Sequence, residues 1–437
     1  MKLCVLGLWH QGAVTAAGLA SLGHQVVGLD FDAARVAKLN QGLAPIFEPG
    51  LEELLKTGLA SGKLRFTAAI SDATRDIEVL WVAMDTPVDA EDRGDSEDVM
   101  RQIERALLGM SPETLVLVSS QLPVGSIRRL ERAGIPAGES ARLKIAYCPE
   151  NLRLGSALAD FLHPERIVVG VRCSRDRELL QGLLCSITAS IEWMSVESAE
   201  MTKHAINAFF AASVAFANEI ASICEAVGAD AKEVERGLKS EGRIGRKAYL
   251  SPGSAFAGGT LARDLAFLNR TSREQGVATP LLSAVLPSNA AHKLWVQKRL
   301  RLLFEDLTRI TVAVWGLTYK PNTDTLRRSA SVELCEWMIR EGARIQVHDP
   351  MAKDLPEHWR GSVERCESPL AAVRGAHALV LATAWPVYRE VPADQLMRDS
   401  ADLVVLDADR YLPDLAAAGA RLRYFAVGLP IENRSAP

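Results

Sequence analysis

The chain has 437 residues, 48% of them apolar and 24% charged, and a net charge of −4. This is the composition of a globular protein of two or three domains, and its charge gives no reason to expect nucleic acid or an anionic membrane surface as a partner. Seven scattered cysteines, with no pair at metal-ligand spacing, read as reduced thiols in a cytoplasmic protein and give no metal site.

Residues 2–6 form an apolar run that reads as a buried strand. The turn Gly7-Leu8-Trp9-His10-Gln11-Gly12 follows, then an Ala-rich helix to about Leu22 and a second strand over 25–29 that ends at Asp30. The start resembles a leader only superficially, because His10-Gln11 breaks its apolar core. Strand, Gly-containing turn, helix, strand and then a carboxylate is the dinucleotide-binding order. Pyrophosphate would sit at the helix N-terminus, and Asp30 would accept from the ribose hydroxyls. A carboxylate there repels a 2′-phosphate, so NAD is expected rather than NADP. Trp9 stands where the fingerprint has its second Gly, and its indole would either cover the adenosine side or push the pyrophosphate outward.

Further strands are predicted at 79–84, 115–120, 142–147 and 166–170, several ending in polar or Pro-containing turns that could line one crevice. No run reads as long enough to span a bilayer. From about 197 to 227 the pattern becomes one long helix. Glu200, Lys203 and Asn207 share a face of it, while its small and aromatic residues suit a buried interface. Lys203 is there either a snorkelling surface residue or a buried one facing the loop that follows. That loop, 243–264, is rich in Gly, Ala and Ser, and its Gly258-Gly259 pair lets backbone approach a ligand closely. Long loops in compact domains are usually functional. Helices continue to about Glu305. A second alternating region has strands at 310–315, 344–348, 378–383 and 403–406. The tail, 432–437, reads as disordered.

The expected fold is therefore α/β: two doubly wound parallel-sheet, Rossmann-like domains joined by a central helical region, with boundaries at 1–195, 196–305 and 306–437. The two sheets do not read as a sequence repeat.

Motifs along the chain resemble one family in order. They are the Gly7–Gly12 turn, Pro45-Ile46-Phe47-Glu48-Pro49-Gly50-Leu51, Thr86-Pro87, Pro123-Val124-Gly125, Pro149-Glu150, Lys203 with Asn207, Asn218-Glu219, the Gly-rich loop, Tyr319-Lys320-Pro321-Asn322-Thr323-Asp324 and Asp349-Pro350. The chain to about Leu429 resembles the UDP-glucose/GDP-mannose dehydrogenases, the nucleotide-sugar 6-dehydrogenases. The resemblance implies an N-terminal NAD domain, a helical homodimerisation region and a C-terminal domain for the nucleotide, with a UDP-hexose as substrate. Members oxidise a C6 alcohol to a carboxylate with two NAD, and a loop cysteine captures the intermediate aldehyde. Carried over, Lys203, with Asn207 positioning it, stabilises charge on the sugar oxygen. Asp264 organises the proton path, and Glu150 activates water. Gly7, Trp9, His10, Gln11, Gly12, Asp30, Arg35, Thr86, Gln121, Arg263 and Arg327 fall at cofactor positions. Leu152, Lys203, Asn207, Arg243, Tyr249, Phe256, Gly258 and Lys320 fall at substrate positions.

The departures are concentrated. The family loop reads roughly GFGGSCFPKD, whereas here Thr260 takes the Cys position and Arg263 the Lys position. Gln121 replaces a Thr, Leu154 a carboxylate, and Asp407-Ala408-Asp409-Arg410 stands for Asp-x-Arg-Asn. Cys148 is either a relocated nucleophile or a small residue packed under the loop. Three classes are consistent with this set: a dehydrogenase that stops at the aldehyde, a redox-neutral epimerase with retained NAD, and a non-catalytic binding paralogue. The retained polar set favours the first.

Overall fold

The computed structural model describes residues 1–86, 95–133, 143–257, 259–399, 402–417 and 422–430. Pro87, Gly258, residue 142 of a predicted strand and the tail at 432–437 lie outside them. The chain divides into two compact units, Met1–Ile206 and Asn207–Pro437, and the division falls inside the long helix Val196–Val227.

The first unit holds eight strands: β1 (Lys2–Leu6), β2 (Gln25–Leu29), β3 (Leu64–Thr67), β4 (Val79–Val82), β5 (Leu115–Val118), β6 (Ile145–Tyr147), β7 (Ile167–Gly170) and β8 (Ile191–Met194). They lie in the order β3-β2-β1-β4-β5-β6-β7-β8. The expected parallel sheet needs one correction, since β6 meets β7 antiparallel, through Tyr147 and Gly170. Helices cover both faces, so strand residues alternate between two cores. Leu3 and Val5 of β1 enter one core, and Cys4 and Leu6 the other.

The second unit repeats this scheme with β9 (Thr311–Trp315), β10 (Arg344–His348), β11 (Val363–Arg365), β12 (Ala378–Leu381), β13 (Leu403–Asp407) and β14 (Leu422–Phe425), ordered β11-β10-β9-β12-β13-β14 and parallel throughout. Val312 and Val314 face one core while Ala313 and Trp315 face the other. In both sheets the strand order reverses beside the first strand, where the carboxyl ends open a crevice.

The reading that no stretch could span a bilayer is corrected by the long helix, which is long and apolar enough by length and composition. Half of its most apolar window is buried within the protein, because Ala208, Ala211 and Ala215 pack into a core with Leu265 and Val285.

Candidate active site

The first unit builds a dinucleotide turn from two glycines that packing fixes. Gly7 has φ +86, and a Cβ on it would lie 2.9 Å from Met84 Cα. A Cβ on Gly12 would lie 1.6 Å from the Gly7 carbonyl oxygen. Between them Trp9 caps the first helix (His10–Ser21) with a negative φ of −74, so the turn requires no left-handed residue there. Its indole is 44% exposed and lies 5.2 Å from the Arg35 guanidinium. Arg35 Nη1 donates to Asp30 Oδ2 at 2.7 Å. Asp30 also accepts from Leu8 N–H at 2.8 Å and from Asp32 N–H at 2.8 Å. A carboxylate accepts at about four positions, so Asp30 keeps room for a ribose hydroxyl. These residues fit a dinucleotide, with Trp9 and Arg35 on the ribose side of the turn.

Neighbouring side chains hold this turn. His10 Nε2 lies 2.8 Å from Glu48 Oε2, and the buried Glu48 also accepts from Gly155 N–H and Ala157 N–H, each at 2.8 Å. Gln11 Nε2 donates to Ser119 O at 3.3 Å, and Thr86 Oγ1 donates to Gln121 O at 2.6 Å, tying the ends of β4 and β5. The Gln11 N–H, one of the orphan donors of the helix start, points at Asp85 Oδ2 at 3.4 Å. An anion of the chain's own therefore stands where a pyrophosphate would bind.

The first turns of the long helix gather the loops after β5 and β6. Glu200 is fully buried and accepts from Gly125 N–H at 2.8 Å and Ile127 N–H at 3.0 Å. Burial pushes its carboxyl above the usual range, and the two N–H bonds oppose that. His204 Nε2 donates to Leu122 O at 2.9 Å. Lys203 is buried rather than snorkelling. Its Nζ donates to Glu150 O at 2.6 Å and Asn151 Oδ1 at 3.3 Å, and lies 4.0 Å from Glu150 Oε1. Glu150 Oε2 accepts from Leu152 N–H at 2.7 Å, which sets the carboxylate's orientation.

In the second unit Asn207 Nδ2 donates to Asp264 Oδ2 in a short bond, and Asp264 is fully buried. Asp264 lies just past the first turn of the helix Thr260–Glu274, which Gly259 caps. Thr260 is its first residue and is exposed, and Arg263 is half-buried one turn on. The preceding loop is pinned by Asn218, which lies in a recognised stretch, and by His292 and Asn289, which the sequence did not single out. Asn218 accepts from Gly253 N–H at 2.9 Å, and His292 donates to Gly253 O at 2.8 Å. Asn289 bonds both N–H and C=O of Phe256, at 3.0 and 2.9 Å. Tyr249 is exposed and packs on Phe210 with ring centroids 5.2 Å apart. Arg243 is exposed and paired with Glu241 at 2.9 Å. Lys320 Nζ sits 5.5 Å from the Tyr319 ring, and Arg327 is exposed in the loop after β9. Gly258 lies outside the described residues.

Burial argues against Cys148 as a relocated nucleophile. It is buried, and burial pushes its thiol up to about 12, so it holds no useful thiolate at neutral pH. Among the described residues no His, Cys, Asp and Glu group could hold a metal ion. Glu48 and Asn218 lay inside recognised stretches, so their bonds could have been suspected. Asp85 stood in a strand-end turn expected to line the crevice, whereas nothing in the pattern around Asn289 or His292 marked them.

Comparison with known proteins gives one consistent result. Models of the UDP-glucose/GDP-mannose dehydrogenase family match three successive segments: the NAD binding domain over residues 1–187, the central domain over 197–291 and the UDP binding domain over 313–414. A UDP-glucose 6-dehydrogenase of Pseudomonas aeruginosa is 35% identical, over 94% of each chain. The UDP-glucose 6-dehydrogenase YwqF of Bacillus subtilis is 31% identical, over 98% of each. Among solved structures, a UDP-glucose dehydrogenase from the hyperthermophilic archaeon Pyrobaculum islandicum superposes with a TM-score of 0.85, at 32% identity and 98% coverage of both chains.

Proposed function

The chain belongs to the UDP-glucose/GDP-mannose dehydrogenase family and is an NAD-dependent nucleotide-sugar dehydrogenase; on that premise we propose that it oxidises the C6 alcohol of a UDP-hexose and stops at the aldehyde. Bound NAD supplies the hydride acceptor. Gly7, Gly12 and the His10 N–H would hold the pyrophosphate, joined by the Gln11 N–H when Asp85 yields it, and Asp30 would hold the ribose. Trp9, beside the Arg35 guanidinium, would cover the adenosine side. Thr86, Gln121, Arg263 and Arg327 complete the cofactor contacts. Lys203 stabilises the developing alkoxide. Two of its three N–H donors are taken by Glu150 O and Asn151 Oδ1, which aims the ammonium and leaves the third for the sugar oxygen. The alcohol proton leaves along the path that Asn207 and Asp264 organise. Leu152, Arg243, Tyr249, Phe256, Gly258 and Lys320 hold the nucleotide sugar.

The observation that carries the end point is Thr260 at the start of its helix, where the resemblance implies the nucleophile, with the Cys148 thiol buried. A Thr hydroxyl forms no thiohemiacetal or thioester, and without a thioester Glu150 has none to hydrolyse. Alcohol oxidation by NAD is uphill near neutral pH, so such an enzyme needs a reaction that consumes the aldehyde. The test is stoichiometry and product mass with UDP-glucose and other UDP-hexoses. One NADH per sugar and a trappable aldehyde support the reading; two NADH and a free uronate sink it.

The same reading takes residues 1–195 as the cofactor domain, 196–305 as the dimerisation region and 306–437 as the nucleotide domain of a cytoplasmic homodimer with no membrane or nucleic-acid partner. It is supported by Phe209, Phe216 and Ile223, which are exposed seven residues apart along the long helix. That spacing makes a single apolar seam.

A further inference from the structure

We propose that Asp409 is a positioning residue that clamps the substrate loop from the end of β13. The inference rests on the reading that residues 249–257 contact the nucleotide sugar. Both oxygens of the Asp409 carboxylate are committed to one loop residue: Oδ1 accepts from Ser254 N–H at 2.7 Å, and Oδ2 from Ser254 Oγ at 2.8 Å. Two charge-assisted bonds to adjacent groups fix orientation as well as distance. The loop is shaped around this carboxylate, since a Cβ on Gly253 would lie 2.1 Å from Asp409 Oδ1.

The turn that presents Asp409 is itself held under strain. Arg410 has φ +54, in the left-handed region that Asn tolerates better than Arg. Its N–H donates to Asp407 O at 3.2 Å, and its guanidinium pairs with Asp230 at 2.7 Å. Asp230 in turn caps the helix Ala231–Ser240. A backbone kept in a costly conformation by surrounding bonds is one whose side-chain direction matters. In Asp407-Ala408-Asp409-Arg410 an anion stands at the position where the resemblance implies Arg, and a cation where it implies Asn. The exchange turns that position into an acceptor for loop N–H and O–H groups, which an Arg side chain cannot be.

The clamp also reaches a cavity. Ser254 and Ala255 line a pocket together with the carboxyl end of β12 and Ala408 of the Asp409 turn. Asp409 therefore sets the spacing between the loop and the ligand-facing edge of the second sheet.

The test uses the full-length protein with UDP-glucose as the probe. Amide exchange is measured over 249–257, and UDP-glucose and NAD affinities are measured separately by calorimetry. Asp409→Ala is expected to speed exchange at Ser254 about tenfold and to weaken UDP-glucose binding about tenfold, with NAD affinity unchanged. Asp409→Asn, which can still bond Ser254 N–H and Oγ, is expected to recover most of both. Should Asp409→Ala fail to fold, Gly253→Ala perturbs the same contact and is expected to give the same split. Unchanged exchange at Ser254 in the folded variants overturns the clamp. Faster exchange in a protein whose wild type binds no UDP-glucose sustains the clamp and overturns the substrate reading instead.

Discussion

Asp349 stands to β9 as Asp30 stands to β1. Each follows the second strand of its sheet, and each Oδ2 accepts from the N–H of the residue after a left-handed glycine, Leu317 at 2.7 Å and Leu8 at 2.8 Å. Each Oδ1 accepts from the N–H two residues on, at 2.8 Å in both cases. Gly316 and Gly7 are equivalent, the one crowded by Thr383 and the other by Met84, each two residues beyond the neighbouring strand. The difference lies in saturation. Asp349 also accepts from Thr318 N–H and Oγ, Trp385 Nε1 and Ala352 N–H. Burial would raise its carboxyl, but the backbone N–H groups prevail and hold it below the usual range. Asp30 keeps acceptor capacity, whereas Asp349 has spent its own inside the protein.

Asp30→Asn is therefore expected to cut NAD affinity roughly tenfold or more, since one ribose acceptor becomes a donor. Asp349→Asn is expected to leave NAD affinity unchanged and to lower stability by about 3 kcal/mol, because buried donors lose their acceptor. Calorimetric titration with NAD and thermal melts of both variants separate the two roles.

Asp85→Asn is expected to raise NAD affinity about two- to fivefold by removing a carboxylate from the start of the first helix, where anions interact with about 0.3–1 kcal/mol. The gain should shrink in high salt, because Asp85 is exposed. Equal affinities of wild type and variant at low ionic strength would refute it.

Thr260→Cys is expected to add the second oxidation, taking the NADH yield from one toward two per sugar. A cysteine at the first position of a helix has a depressed thiol pKa, so a thiolate forms near neutral pH. Product mass is the check, as the uronate is 16 Da heavier than the aldehyde by the one oxygen it gains, about the mass that selects it in a spectrum.

Phe216→Asp is expected to convert the proposed dimer to monomer at micromolar concentration. Each buried Phe of the seam contributes about 1.5–3 kcal/mol, and a desolvated carboxylate opposes association. Light scattering decides it, and a wild type that is already monomeric would refute the seam.

Glu235 gives a pH prediction. Burial would raise its carboxyl, but Lys239, Ser251 and Lys232 lower it from 4.5 to about 2. A carboxyl whose folded value is depressed adds stability above the unfolded value, and that contribution is lost as pH falls toward the folded one. Stability should thus decline between about pH 4.5 and 2, and Glu235→Gln should flatten that limb in acid melts.

The central strands were legible because Val79–Val82 and Leu115–Val118 are continuous apolar runs buried on both faces. The edge strands were not. Val363–Arg365 is short and largely exposed, and Ile191–Met194 is only partly buried, so neither carries a full apolar signature. The antiparallel step between β6 and β7 left no local trace, because strand direction is decided by the path of the chain rather than by residue type. Lys203 and Asn207 could be read from helical spacing. The Asp409–Ser254 clamp joins residues 155 positions apart, and the His10–Glu48 contact joins residues 38 apart. Neither distance is visible to a periodicity.

The burial of Cys148 bears on chemical vulnerability. Cys4, Cys224, Cys335 and Cys366 are likewise buried, and the thiols within reach of solvent are Cys173 and Cys185, flanking the helix Ser174–Leu184. An oxidant or alkylating agent that silences a thiolate-dependent relative would mark those two positions and find no reactive sulfur in the loop. On the proposed end point the reaction depends on no loop thiolate, so turnover is expected to continue in the presence of peroxide.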